Sequence, residues 1–221
     1  MLYELIIICQ TLASGNICLF QISDQWEKQE VYPVIWVSRP ITGEFNGAAV
    51  TFSWNSELSV GCKSIFQHSG AKTLVAVRDS VFITAAADSK NRSKKAFLLS
   101  YKNGAYQFGQ DTTEVDDTRS IILKTDWNIP SFPQAEAGLC MDECFICTVR
   151  LGPNLTFHID TETDYGLLFG TYQEGDRINP VDIQNSLRFS LQDFDEYNKK
   201  TVILQGDNTF LPIENGVRPS R

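Results

Sequence analysis

The feature that most constrains this chain is the spacing of its turn signals. Ser14-Gly15-Asn16, Arg39-Pro40, Thr42-Gly43, Asn103-Gly104, Gly152-Pro153-Asn154, Glu174-Gly175-Asp176 and Gly206-Asp207-Asn208 punctuate the sequence. Between them lie short runs rich in β-branched and aromatic residues, the composition that packs well on a pleated surface. Strands are expected over 2–9, 17–22, 31–38, 48–54, 74–85, 96–101 and 106–108. Further strands are expected over 120–124, 144–151, 156–159, 166–172, 188–191, 201–204 and 209–211, with long loops at 111–117 and 125–137.

Two local patterns are sharper. Lys102-Asn103-Gly104-Ala105 reads as a hairpin, because Asn-Gly supplies the two positive φ angles of a type I′ turn. Val50, Phe52 and Trp54 alternate with Thr51, Ser53 and Asn55, giving one buried and one polar face. Helical signal is scarce. Asn179-Pro180-Val181-Asp182 offers a cap, a proline at the first helical position and an acid in the first turn, enough for about two turns. Many short strands between regular turns define an all-β chain: a two-sheet antiparallel β-sandwich, a single domain over 1–221, with at most one short helix.

Composition agrees with that size of core. The chain has 221 residues, 43% hydrophobic and 11% aromatic, which is too apolar for bulk disorder. A net charge of −8 opposes the phosphate field of a nucleic acid. The basic run 90–95 is read as a solvated loop. No apolar run reaches the roughly 20 residues of a transmembrane helix. Leu5-Ile6-Ile7-Ile8-Cys9 before Ala13-Ser14-Gly15 imitates a secretion leader, but Glu4 stands where a cation belongs and the apolar stretch is short. It is read as a buried first strand, and a soluble cytoplasmic protein is favoured over a secreted one. Asn154-Leu155-Thr156 and Asn91-Arg92-Ser93 are glycosylation triplets of a kind that chance also produces.

Most reactive chemistries find no pattern. Cys140, Cys144 and Cys147 fall short of the four spaced ligands of structural zinc, and Cys144 and Cys147 on one strand would face opposite ways. Cys9 and Cys18 bracket an expected hairpin that would permit a bridge, with free thiols the alternative. Asp160-Thr161-Glu162-Thr163-Asp164 opens like a calcium loop but lacks its glycine and its final glutamate, and is read as a solvated hairpin end. His68 and His158 are the only imidazoles, and no nucleophile elbow or phosphate loop accompanies them. No metal or cofactor is expected.

Aromatic residues remain, among them Trp26, Trp36, Trp54 and Trp127. Their ordinary role is core packing, yet a sandwich that opens between its sheets gains a ring-lined pocket. Arg39, at the end of its expected strand, is placed to guard such a mouth, or else to form a surface ion pair.

Several blocks in order resemble the RhiA-like family, named for a rhizosphere-expressed bacterial protein. They are Asn16-Ile17-Cys18-Leu19-Phe20-Gln21, Val34-Ile35-Trp36-Val37-Ser38-Arg39-Pro40 and Val50-Thr51-Phe52-Ser53-Trp54. Asn103-Gly104-Ala105-Tyr106-Gln107-Phe108, Pro153-Asn154-Leu155-Thr156-Phe157, Phe169-Gly170-Thr171-Tyr172 with Gly175, and Asp207-Asn208-Thr209-Phe210 follow. Gly61-Cys62 and the cysteine-bearing stretch 140–147 depart from the pattern. The resemblance implies a compact β-sandwich and a secreted or secondary-metabolite setting; it implies no reaction.

Two functions of different class fit. The favoured one is a cofactor-independent cyclase or pericyclase of natural-product biosynthesis, which needs shape, rings and a hydrogen-bond donor rather than a metal. Arg39 and Tyr172 are its expected catalytic groups, with Trp36, Trp54 and Phe169 as substrate-binding walls. The alternative is a non-catalytic binding module for a glycan or small ligand, with Trp26 and Trp127 as stacking rings and acidic loops holding calcium. The expected partner is a small molecule, and a homodimer is compatible with either reading.

Overall fold

The computed structural model of the chain describes residues 2–43, 47–55, 57–65, 96–110, 119–131 and 134–213. The expected strand 74–85, the basic run 90–95, His68, the Asn91 triplet and the loop 111–117 lie outside them. The described chain is all-β, as the punctuation predicts. Its strands are β1 (Leu2–Cys9), β2 (Gly15–Ile22), β3 (Val31–Pro33), β4 (Ile35–Ile41), β5 (Ala49–Asn55), β6 (Leu58–Ile65), β7 (Ala96–Lys102) and β8 (Ala105–Gln110). They continue as β9 (Ser120–Thr125), β10 (Gln134–Met141), β11 (Cys144–Phe145), β12 (Cys147–Arg150), β13 (Thr156–Asp160) and β14 (Asp164–Gly170). After the short helix α1 (Pro180–Gln184) come β15 (Leu187–Phe189), β16 (Lys199–Leu204) and β17 (Phe210–Pro212).

These strands form two compact units. Unit 1 comprises 1–22, 34–56 and 163–221, and unit 2 comprises 23–33 and 57–162. Unit 1 holds two four-stranded sheets, ordered β17-β16-β1-β5 and β15-β14-β2-β4. Its first strand pairs parallel with β16, from Glu4↔Lys199 to Cys9↔Leu204, and antiparallel with β5. Leu5, Ile7 and Cys9 are buried, so the N-terminal apolar run is a central strand. Strand β2 is buried on both faces, which explains why Ile17 to Phe20 show no polar alternation.

A cluster of rings fills the space between the two sheets of unit 1. Trp54 of β5 meets Trp36 of β4 edge-on at 5.6 Å and Tyr165 of β14 at 5.3 Å. Its indole Nε1 donates to the Tyr165 hydroxyl at 3.3 Å, so the polar tip of each ring is satisfied inside the core. Phe194 packs edge-on against both Trp54 and Tyr3, while Phe189 stacks on Tyr165. Trp36 reaches this cluster because the β2–β4 register shifts at Leu19/Phe20, leaving it as the extra residue of a bulge.

Unit 2 joins β6, β10, β12 and β3 with β11 in one sheet, and β13-β9-β7-β8 in another. Its buried side chains are mainly aliphatic, with Cys62, Cys140 and Cys147 among them. The hairpin at Asn103-Gly104 has both φ angles positive, 53° and 82°, as its turn type requires. Gly138 is obligatory in another way: a Cβ there would stand 1.9 Å from the Cys147 carbonyl oxygen.

Several expectations need correcting. The segment 31–38 is two strands in different units, broken at Val34, since Pro33 has no N–H with which to carry a ladder onward. The segment 144–151 is likewise split at Ile146, whose N–H turns to the Leu139 carbonyl. The expected loop 125–137 ends in β10, which pairs along its whole length with β6, a strand with no expectation behind it. Strands β1 and β2 belong to different sheets, so Cys9 and Cys18 do not bracket a hairpin, and both are free. The acidic run 160–164 is no hairpin end either, because β13 pairs with β9 and β14 with β2.

Candidate functional site

The site is built on the end of β14. Gly166 on this strand lies under Phe20, whose ring would be 2.2 Å from a Cβ, so only glycine allows the two strands to seat here. The face they share buries Cys18, Phe20, Ile22, Ile35, Leu168 and Ile178, with Tyr172 and Ile183 packed against that cluster. The strand ends at Gly170, and Tyr172 follows in a turn. Its carbonyl accepts from Asn16 Nδ2 at 2.8 Å, which fixes the backbone to the start of β2.

The Tyr172 side chain is fixed as firmly. Its hydroxyl donates to Asp182 Oδ2 at 2.5 Å and accepts from the Asn179 backbone N–H at 3.2 Å. Asn179 also caps α1, its Oδ1 accepting from Val181 N at 3.0 Å, and Pro180 sets the first helical φ. The expected cap and first-turn acid therefore exist, and they present Asp182 to Tyr172. The hydrogen bond to Asp182, with burial second, raises the pKa of the phenol, so Tyr172 stays a neutral donor.

Beside this pair opens a cleft of about 650 Å³ within unit 1. Phe169, Thr171, Tyr172 and Asp182 line one side. The β16–β17 turn contributes Asn208, Thr209 and Phe210. Asn208 sits at φ 67° and is held by Thr11, whose Oγ1 donates to its Oδ1 at 2.9 Å. Among the described lining residues Asp182 carries the only charge. The cleft can thus grip hydroxyl groups from a carboxylate, an amide and threonine oxygens while half-buried rings cover apolar faces.

Of the residues expected from sequence, Phe169 and Tyr172 meet at this cleft. Trp36 and Trp54 do not line it; they are 1% and 2% exposed within the ring cluster, because filling the inter-sheet space removes large apolar area from water. Arg39 is half exposed, 3.7 Å from Glu174 and 5.8 Å above the Phe52 ring, and does not reach Tyr172's cleft. Trp26 is 1% exposed, with its Nε1 donating to the Asp160 carbonyl, so it offers no stacking surface; Trp127 is 74% exposed. Asp182 and Asn208 escaped expectation as site residues. The signals were present, as a capped helix start and as a turn, but nothing local says that the two converge.

Among the described residues no three His, Cys, Asp or Glu side chains are grouped to hold a metal ion. All six cysteines are free. Burial raises the Cys18, Cys62 and Cys147 thiols to about 12, the opposite of what a nucleophile needs. No helix among the described residues is long and apolar enough to cross a membrane.

Fold and cleft together define an all-β protein assembled from two-sheet units with a polar, ring-edged recess. The RhiA family model matches residues 2–211, and the chain belongs to that family. No curated protein and no solved structure matches it.

Proposed function

We propose that this chain is a binding module whose unit 1 cleft takes a small, neutral, polyhydroxylated ligand of the saccharide class. One observation carries the reading: the rings of Phe169, Tyr172 and Phe210 meet Asp182, Asn208 and Thr209 around a single cleft. Sugars present apolar C–H faces to rings and hydroxyl edges to carboxylates and amides, so this mixture of groups suits them. The lining cations that an anionic ligand would need are missing from the described residues. The cyclase reading takes Trp36, Trp54 and Phe169 as its walls and Arg39 and Tyr172 as its catalytic groups. Of these, Phe169 and Tyr172 line the cleft and Trp36, Trp54 and Arg39 do not. Trp36 and Trp54 lie in the core and Arg39 at a separate exposed ion pair, which is why binding is placed ahead of catalysis.

Calorimetric titration with a panel of neutral mono- and oligosaccharides, with and without EDTA, tests the proposal. Asp182→Asn and Phe210→Ala are each expected to weaken the best ligand about tenfold, the equivalent of ~1.4 kcal/mol. Asn179→Ala is expected to weaken it several-fold by loosening the helix start that presents Asp182. Absence of saccharide binding, or affinity unchanged in both Asp182→Asn and Phe210→Ala, overturns it.

A further inference from the structure

Two polar side chains of the unit 1 cleft are fixed in direction by partners that stand behind them. Thr11 is buried, at 1% exposure, and does not line the cleft. Its Oγ1 accepts from the Ala13 backbone N–H at 3.0 Å and lies 2.9 Å from Asn208 Oδ1. A backbone N–H can only donate, and a buried hydroxyl proton needs an acceptor of its own, so Thr11 donates to Asn208. The amide is thereby oriented. Its oxygen is engaged by a residue outside the lining, and its NH2 is the polar group that Asn208 has left for a ligand.

On the α1 side the same device acts with the opposite sign. The Asn179 backbone N–H donates to the Tyr172 hydroxyl at 3.2 Å, and that hydroxyl donates to Asp182 Oδ2 at 2.5 Å. The phenol proton is committed, and Asp182 keeps Oδ1 as an acceptor; a carboxylate has no proton to give. Thr209, the neighbour of Asn208, supplies no competing donor. Its hydroxyl is turned within its own turn, to Asp207 Oδ1 at 2.6 Å and Gln205 Oε1 at 3.1 Å.

We propose that the unit 1 cleft has a fixed polarity, an acceptor at Asp182 Oδ1 and a donor at Asn208 Nδ2, and that Thr11 is the positioning residue that sets the donor. The inference rests on the saccharide reading of this cleft and narrows it. Toward α1 the ligand needs a free hydroxyl, because only a donor satisfies the carboxylate. Toward the β16–β17 turn any accepting oxygen serves, whether hydroxyl, glycosidic or acyl. The class selected is a neutral saccharide read through one donating and one accepting oxygen.

The test is calorimetry on the full chain with the methyl glycosides of glucose, galactose and mannose. The tightest of them is then compared with its monodeoxy and monodeoxyfluoro derivatives; fluorine cannot donate a hydrogen bond but still accepts one weakly. At one hydroxyl both replacements are expected to cost about tenfold in affinity, since both remove the donor, and Asp182→Asn is expected to abolish these losses. At a second hydroxyl the deoxy derivative is expected to lose about tenfold and the fluoro derivative about threefold. Thr11→Val, which keeps the side-chain shape and removes the hydroxyl, is expected to erase that gap, because the released amide can turn its oxygen to the ligand. Asn208→Asp suits the left-handed turn as well as asparagine does but replaces the donor with an acceptor. It is expected to weaken binding at least tenfold.

A Thr11→Val protein in which all derivatives weaken evenly and the gap persists marks Thr11 as structural and overturns the proposal. So does an Asn208→Asp protein that binds as tightly as the native chain. Either result leaves the saccharide reading standing. A native chain that binds none of the three glycosides overturns that reading and the inference with it, before any variant is made.

Discussion

Unit 1 places its rings in two layers of use. Trp36, Trp54, Tyr165, Phe189 and Phe194 close the space between its sheets, while Phe169, Tyr172 and Phe210 remain half-buried at a cleft. Unit 2 buries mainly aliphatic side chains and thiols, and a cleft of about 430 Å³ in it is lined by polar side chains, the His158 imidazole among them. The same strand-rich composition therefore yields two recesses of different chemistry. What decides the chemistry is which residues the core consumes. Unit 1 has rings to spare at its rim, and its cleft mixes apolar faces with polar groups and the single carboxylate of Asp182. Unit 2 presents Arg119, Asp160 and Glu162 at its cleft.

The contrast can be broken most sharply at the core of unit 1. Trp54→Ala removes a ring in contact with four others and leaves the Tyr165 hydroxyl without its indole donor. It is expected to cost about 3–5 kcal/mol in a denaturant titration. Trp127→Ala, at an exposed ring of unit 2, is expected to change stability by less than about 0.5 kcal/mol. A small loss for Trp54→Ala would mean that the inter-sheet space is not tightly filled.

A smaller effect is expected from the thiols that distinguish unit 2. Burial raises Cys62 and Cys147 from 9.0 to about 12. Their pKa values are raised in the folded state, so the unfolded chain loses these protons first. The stability they contribute is complete below pH 9 and declines as pH rises from about 9 toward 12. By pH 10 each accounts for roughly 1 kcal/mol at 1.36 kcal/mol per unit. Chemical denaturation between pH 8 and 10.5 should show this fall. The double variant Cys62→Ala, Cys147→Ala should make it shallower, with the remainder carried by the Cys18 and Cys140 thiols, which burial also raises; an unchanged slope would assign alkaline sensitivity elsewhere.

The smallest effect belongs to Arg39→Ala. Both partners of its ion pair with Glu174 are about half exposed, at 51% and 50%, where such pairs contribute roughly 0–1 kcal/mol. Ligand binding at the unit 1 cleft should be unaffected. A tenfold loss of affinity would restore Arg39 to the site and erase much of the difference between the two recesses.

Much of the fold was legible because strand periodicity and turn chemistry are local. The Asn103-Gly104 hairpin, the alternating face of β5 and the Asn179 cap each depend on a few adjacent residues. Strand β10 was hidden because Gln134-Ala135-Glu136-Ala137-Gly138 lacks β-branched and aromatic side chains; tertiary pairing with β6 imposes its conformation. The break at Val34 was hidden because a continuous apolar run does not reveal a change of sheet. At the site, Phe169 and Tyr172 stood out as rings near a strand end. Asp182 and Asn208 did not, since their approach depends on how β14, α1 and the β16–β17 turn are stacked. Nor could sequence divide the tryptophans: whether a ring fills a core or edges a cleft depends on a bulge at Trp36 that has no signature of its own.

The parallel pairing of β1 with β16 carries a consequence for the order in which the molecule is made. Glu4 finds Lys199 as its ladder partner, so β1 leaves the ribosome long before the strand it pairs with in parallel. The longer segment of unit 2, residues 57–162, is synthesised without interruption in the meantime. Closing so long a loop is entropically slow, and although β5 follows early enough to cover one edge of β1, the edge that takes β16 stays open to aggregation until then. The nascent chain should therefore acquire unit 2 first, with the segment from Leu5 to Cys9 a natural client for a chaperone until the C-terminal strands arrive.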